Sequence, residues 1–355
     1  MEEIVYREMK PEDIPSLLEL FAASFGKPAP RAHWDWKYSS GPEKSVVVVA
    51  EADHKIVGHY AVLPRTVLVG SKPVRAGLVV DVMTHPDYGR RGIFVKSAVK
   101  AFEACGERGI SILLGFPNEA AIRGHQKVNW SEIGSLRLLV RPLTVNPVPQ
   151  IMGGRQLPKP VAWIGQTILT CLSRVTVSSG SELRTQSLSA GDFLSLGAEL
   201  EDLLANAWPT DSVKVARTTE WLHWRLAEPG TEHRVVVIRG PKESRILGAA
   251  LLNVRDYRNM RVGAVFSLLL REDSSRVVED LLRGALHEAL SKKCDVVVML
   301  ESPAMNLAGA ARKTMLLRVP RKLRYIVRGI EGTEHVPEVM RFSKWHIELI
   351  DHDVL

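Results

Sequence analysis

Cysteine is scarce in this chain: Cys105, Cys171 and Cys294 are its only three, and they lie far apart. They form neither a zinc-binding spacing nor a disulfide framework, so a reducing, cytoplasmic compartment is expected. No histidine or carboxylate cluster has ligand spacing, and no metal is expected. The opening, MEEIVYREMK, is acidic and has no apolar core, unlike a signal peptide. Long apolar runs are missing too. The most lipid-like stretch, residues 161–172, is short and holds Gln166, Thr167 and Thr170, too polar to span a bilayer. No strong surplus of one charge exists: 47 basic against 40 acidic residues leave +7 and a pI near 9.3. That suits an anionic partner but is thin for a dedicated nucleic-acid binder. What is there is ordinary globular material, 45% apolar and 25% charged over 355 residues, enough for two or three domains.

Punctuation divides the chain. Residues 141–160 read RPLTVNPVPQIMGGRQLPKP, with five prolines and a Gly-Gly pair. Proline lacks an N–H and restrains the residue before it, so neither helix nor central strand fits here. A connector helix is expected over 161–174. On either side the sequence repeats itself. Trp36-Lys37 matches Trp224-Arg225, Val46–Val49 matches Val235–Ile238, and Gly58 matches Gly248, the offset drifting only from 188 to 190. Two copies of one fold account for this most simply. The expected units are 1–145, a linker with connector helix over 146–180, a second copy over 181–330, and a tail over 331–355.

Within the first copy, 4–8 alternates as a strand and Pro11-Glu12-Asp13 opens a helix with Leu17, Leu18, Phe21 and Phe25 on one face. Strands are predicted over 46–51 and 56–63 around a turn at 52–55, then over 67–69 and 74–84 around Gly70-Ser71-Lys72. A helix from about Gly92 carries Val95, Ala98, Val99, Phe102 and Cys105 at helical spacing and stops at Gly109. A strand over 111–115 precedes Phe116-Pro117-Asn118 and a short helix. The class is mixed α and β. Cys105 reads as packing, and Trp36 and Trp224 as core or interface residues.

The chemistry concentrates in residues 79–109, VVDVMTHPDYGRRGIFVKSAVKAFEACGERG. An apolar strand ends at Thr84, and a loop with Arg90, Arg91 and Gly92 opens a helix. Free backbone N–H groups, the positive end of a helix dipole and two guanidinium groups together suit a pyrophosphate. Asp81 is the one charge inside the apolar strand 78–83, costly to bury unless hydrogen-bonded or functional.

His85-Pro86-Asp87-Tyr88-Gly89-Arg90-Arg91-Gly92-Ile93 resembles the acetyl-CoA loop of the GNAT N-acetyltransferase superfamily. The family signature, Arg/Gln-x-x-Gly-x-Gly/Ala, begins here at Gly89 and ends at Phe94, so both ends depart while Arg91-Gly92-Ile93 remains. Asn118-Glu119-Ala120-Ala121-Ile122-Arg123-Gly124-His125 is similar to the family's Asn-x-x-Ala-x-x-x-Tyr, with His125 at the tyrosine's place. The Gly-Ile-Phe ending resembles a branch with tandem domains, whose second copy is degenerate here.

The resemblance implies an α+β fold of the acyl-CoA N-acyltransferase type, a mixed, mostly antiparallel sheet flanked by helices, in two tandem copies. It implies acetyl-CoA as cosubstrate, held by Val82, Met83, Thr84, Arg90, Arg91, Gly92, Ile93, Phe94, Val95 and Asn118. The backbone of Val82–Thr84 would pair with the pantetheine amides like an added strand. An amine, small or peptidic, would attack the thioester directly, with a backbone N–H near Val82 facing the oxyanion and His125 protonating the thiolate. Asp81 is the candidate base and Glu119 its rival. Two other readings stay open: a transferase using charged tRNA on the same paired fold, and a non-catalytic CoA-binding module. Neither the amine nor the oligomeric state can be read from the sequence.

Overall fold

The computed structural model describes residues 3–147, 164–170, 183–240, 245–330 and 336–353. The first half runs β1 (Val5–Glu8), α1 (Ile14–Phe25), α2 (Arg31–Tyr38), β2 (Val46–Ala52), β3 (Lys55–Val69), β4 (Lys72–Thr84), α3 (Ile93–Glu107), β5 (Ile112–Gly115), α4 (Ile122–Gln126) and β6 (Ser131–Pro142). The second half repeats the order with β7 (Arg184–Ser189), α5 (Ala190–Leu194), α6 (Ala198–Ala205), β8 (Val213–Val215), α7 (Thr219–Leu226), β9 (Glu232–Arg239), β10 (Ile246–Tyr257), β11 (Met260–Leu270), α8 (Ser275–Ser291), β12 (Val296–Glu301), α9 (Ala308–Lys313) and β13 (Leu317–Gly329). A closing segment holds α10 (Val336–Val339), β14 (Trp345–His346) and a 3-10 turn, Leu349–Asp351. Of the proposed linker and connector helix, residues 164–170 are helical and most of the rest lies outside the described residues.

The strands form one sheet in the order β1-β2-β3-β4-β5-β13-β6-β12-β11-β10-β9-β7, with β8 pairing β3 and β14. The order reads the same from both ends once the halves are matched, because each half has given its last strand to the other. β13 lies between β5 and β6, pairing antiparallel with both, and β6 pairs β12 on its other side. At the centre Trp36 and Trp224 stack at 5.1 Å. Each indole N–H donates to the other residue's carbonyl, at 2.7 and 2.9 Å. Both rings are buried, as a core or interface role requires.

Helix α3 covers one face of the first half through Ala98, Ala101, Phe102 and Cys105, while Val99 points outward. Helix α8 covers the second half with Val278, Leu281, Leu282, Ala285 and Leu286. On α1 the buried stripe is Ile14, Leu17 and Leu20; Leu18 and Phe21 flank it, and Phe25 is exposed, so the predicted face is rotated. The two strands predicted over 56–63 and 67–69 are one, β3. Pro64 is tolerated because it falls between the stretch paired to β2, ending at Val62, and the stretch paired to β8, starting at Val67. The turn at Asp53-His54 is left-handed at both residues, φ 46° and 60°, which suits a two-residue hairpin. Gly58 lies opposite Ala50 and Gly248 opposite Ile238, so Ala50, not Val49, is the structural counterpart of Ile238.

Candidate active site

β4 and β5 run parallel only from Ala76↔Ile112 to Val79↔Gly115. Beyond that β5 ends, β4 continues to Thr84, and among the described residues no strand pairs with the edge over 80–84 on that side. Here β4 carries one extra residue: Val80 faces Ala61, but Met83 faces His59. Asp81 in this bulge is left-handed, φ 44°, a conformation costing an L-residue about 1–2 kcal/mol. His59 secures it, its Nδ1–H donating to the Asp81 carbonyl at 2.6 Å. Burial lowers the pKa of His59 and keeps the ring neutral.

Among the described residues the Asp81 carboxylate is held through Oδ2, by Lys37 Nζ at 2.7 Å and the Tyr38 hydroxyl at 2.5 Å. Lys37 is 3% exposed and also donates to Asp353 at 2.8 Å. Burial would lower its pKa, but the two carboxylates outweigh burial and raise it. Burial alone would raise the pKa of Asp353, but Lys37, His352 and hydrogen bonds together pull it down to about 2. Burial, reinforced by Asp81, keeps Tyr38 protonated. Sequence reading missed Lys37, Tyr38, His59 and Asp353. Trp36-Lys37 had signalled only the repeat.

At the end of β4 a 3-10 turn, Pro86–Tyr88, leads to Arg90 and Gly92, both left-handed at φ 64° and 76°. Gly92 caps α3 without a side-chain bond, and a Cβ there would meet nothing within 4 Å. The glycine therefore serves the backbone conformation and leaves the first-turn N–H groups uncapped by a side chain. Arg90 and Arg91 are exposed, the latter guanidinium 4.6 Å from the Tyr88 ring centroid. Ile93 is buried against Gly58, where a Cβ would sit 2.5 Å from its Cγ2. Met83 is buried, and Val82, Thr84, Phe94 and Val95 are half-buried.

His125 sits on α4 among Phe94, Trp130 and Tyr60, with ring centroids at 5.1, 5.1 and 6.4 Å. It is 4% exposed, its Nδ1 has no hydrogen-bond partner among the described residues, and burial pushes its pKa down to about 4. Asn118 is exposed and its Oδ1 accepts from the N–H groups of Ala120 and Ala121, fixing the turn into α4. Glu119 is exposed and paired at the surface with Arg324. Among the described residues no three His, Cys, Asp or Glu gather as metal ligands.

Residues 5–132 match the acetyltransferase (GNAT) domain family. No curated protein matches the chain by sequence. Among solved structures, a GCN5-related N-acetyltransferase from Anabaena variabilis superposes with a TM-score of 0.61 at 14% identity, covering 93% of this chain and 73% of that one. A probable N-acyltransferase from Enterococcus faecalis gives 0.66 at 10% identity over the same shares. N-myristoyltransferase of Saccharomyces cerevisiae with bound myristoyl-CoA gives 0.64 at 11%, covering 93% of this chain and 79% of that one. The chain carries a GNAT acetyltransferase domain over residues 5–132, and its second half repeats that fold. Its first half is the GNAT domain by sequence as well as by fold.

In the second half the equivalent gap is filled by the chain itself. β11 and β12 pair only from Val262↔Val296 to Ala264↔Val298 and then part, as β4 and β5 do. The C-terminal segment enters this gap. Glu348 accepts from Leu268 N and Ser267 Oγ, both at 2.6 Å. Ile347 N donates to Ser302 Oγ at 3.2 Å, and Ala304 N to the Trp345 carbonyl at 3.0 Å. Arg217, 2.8 Å away, helps hold Glu348 ionised at about 2 against the effect of burial. At the start of α8 Ser274 caps Val277 N, and Glu272 and Asp273 precede it in place of a glycine and arginines.

Proposed function

We propose that the protein is an acetyl-CoA-dependent N-acetyltransferase acting on a primary amine. The observation carrying this reading is the open edge of β4 at residues 80–84, ending in the Arg90-Arg91-Gly92 loop, beside a second copy whose equivalent gap is plugged. The pyrophosphate is assigned to the N–H groups at the start of α3, with Arg90 and Arg91 supplying charge-assisted bonds. The pantetheine is assigned to the backbone of Val82, Met83 and Thr84 and to the amide NH2 of Asn118, whose oxygen is already engaged.

The amine attacks the thioester carbonyl, a C–N bond forms, and the C–S bond breaks as CoA leaves. Asp81 is the proposed acceptor of the amine proton: Lys37 and Tyr38 fix the carboxylate through Oδ2, and Oδ1 has no hydrogen bond among the described residues. The bulge turns a backbone N–H near Val82 toward the developing oxyanion in this reading. His125 is the proposed partner of the thiolate. Its imidazole is neutral in the free protein; the thiolate forming beside it raises its pKa, so that the ring takes up a proton from solvent and passes it to the sulfur, and CoA leaves as the thiol.

Thiol release from acetyl-CoA with a panel of primary amines tests the reading. Release above the hydrolysis background is expected with at least one amine. His125→Ala should lower kcat at least tenfold while leaving acetyl-CoA affinity within twofold. No release with any amine contradicts the activity, and an unchanged kcat in the variant contradicts the role of His125.

A further inference from the structure

Lys37 stands between two carboxylates. Its ammonium lies 2.7 Å from Asp81 Oδ2 on β4 and 2.8 Å from Asp353 Oδ2 near the end of the chain. The lysine is 3% exposed, so water does little to balance its charge. With both carboxylates ionised, the trio holds one negative charge more than the lysine needs. Around it, Tyr38 donates to Asp81 as a protonated phenol, and burial keeps His33 on α2 and His59 on β3 neutral. On the far side His352 Nδ1 lies 3.6 Å from Asp353 Oδ1, and Asp353 also acts on Arg65 of β3 and Arg225 of α7. Removing Asp353 would make the whole surrounding more positive.

The second half shows which carboxylate is the standing counter-ion. Arg225 occupies the place of Lys37, is 2% exposed, and is paired at 2.7 Å with Glu228, three residues further along. Three residues beyond Lys37 the first half has Ser40, which carries no charge. Along the strands, Thr84 faces Gly58 and Leu270 faces the matching Gly248. Three residues before Thr84 stands Asp81, and three before Leu270 stands Ser267. Asp353 thus does for Lys37 what Glu228 does for Arg225, and Asp81 is the additional acid.

We propose that Asp353 is a positioning residue for the transfer step, holding the charge of Lys37 while Asp81 takes up the amine proton. The inference rests on the acyltransferase reading and adds the C-terminal segment to its machinery. As the C–N bond forms, the proton passes from nitrogen to Asp81 Oδ1. Asp81 becomes neutral, and Lys37 stays paired with Asp353. Without Asp353 the same step would leave a buried ammonium beside a neutral acid, and Asp81 would accept the proton less readily.

Asp81→Asn imitates the protonated acid without any substrate, so the pairing can be read from thermal unfolding of the full chain. Alone, Asp81→Asn should lower Tm slightly, because Asp353 still balances Lys37. Combined with Asp353→Asn it should lower Tm by more than the sum of the two single losses, and adding Lys37→Met should remove the excess. A double variant that folds only after Lys37→Met is added supports the pairing. Additive losses, or an excess that Lys37→Met leaves in place, overturn it. The second arm is thiol release from acetyl-CoA with the primary amine that the panel shows to react fastest. Asp353→Asn should lower kcat at least about tenfold, with the KM for acetyl-CoA unchanged and the acidic limb of the kcat profile moved to lower pH. Asp353→Glu should recover part of the rate. A lowered kcat with the limb unmoved marks a merely structural contact and overturns the proposal while the transferase reading stands. No release with any amine removes that reading and this role with it, whatever the Tm cycle shows.

Discussion

At the scale of single residues, the site is built from charges that burial forces into fixed partnerships. Asp81 stood out in the sequence as a lone charge in an apolar strand, and the structure gives it two donors and a left-handed backbone. Its partner Lys37 could not be found the same way, because the second carboxylate on that lysine is 316 residues away in the chain. His125 was visible through its spacing from Asn118, but not the aromatic enclosure that keeps it neutral. That enclosure has a consequence for stability. His125 and His233 are both pushed down to about 4 from an ordinary 6.5 by burial. The unfolded chain therefore binds more protons between about pH 4 and 6.5, and stability falls as pH drops through that window, by on the order of 1–3 kcal/mol per histidine. Urea midpoints at pH 7.5, 6 and 5 should decline in that order, and His125→Gln should flatten the decline. A midpoint constant from 7.5 to 5 contradicts this picture.

At the scale of elements, the proposed phosphate loop depends on helix α3 being seated closely on β3. Hairpins, the α3 boundaries and the Arg-Arg-Gly loop were legible, since turn residues and apolar spacing act locally. The β4 bulge was not, because an extra residue in a strand leaves no mark in an apolar run. Gly58 is the seat: a Cβ there would lie 2.5 Å from Ile93 Cγ2 and 2.9 Å from Ala50 Cβ. Gly248 holds the matching place, with the Leu269 carbonyl at 2.9 Å and Leu281 Cδ1 at 3.1 Å. Gly58→Ala and Gly248→Ala should each cost about 1–3 kcal/mol through overpacking, seen as a lowered Tm. Only Gly58→Ala should also weaken acetyl-CoA binding, by about tenfold, since it displaces the first turn of α3. Equal effects of the two on acetyl-CoA affinity contradict the assignment of the loop.

At the scale of the whole molecule, the repeat was legible but the exchange of last strands was not. A strand pattern shows that β6 and β13 exist, whereas their neighbours are chosen by contacts far along the chain. The exchange joins the halves into one sheet, and the C-terminal segment then breaks the symmetry. Arg225 holds that segment at the Ile350 and His352 carbonyls, Glu348 plugs the second gap, and Asp353 reaches Lys37 beside the first. One groove is thus closed by the same C-terminal segment that reaches the other. The most direct test is calorimetric titration of acetyl-CoA into the intact chain. The account predicts one molecule bound per chain, and affinity reduced well over tenfold in Arg91→Glu, given charge-assisted bonds of about 1.5–3 kcal/mol. Two molecules per chain, no binding, or an unchanged affinity in Arg91→Glu would contradict it.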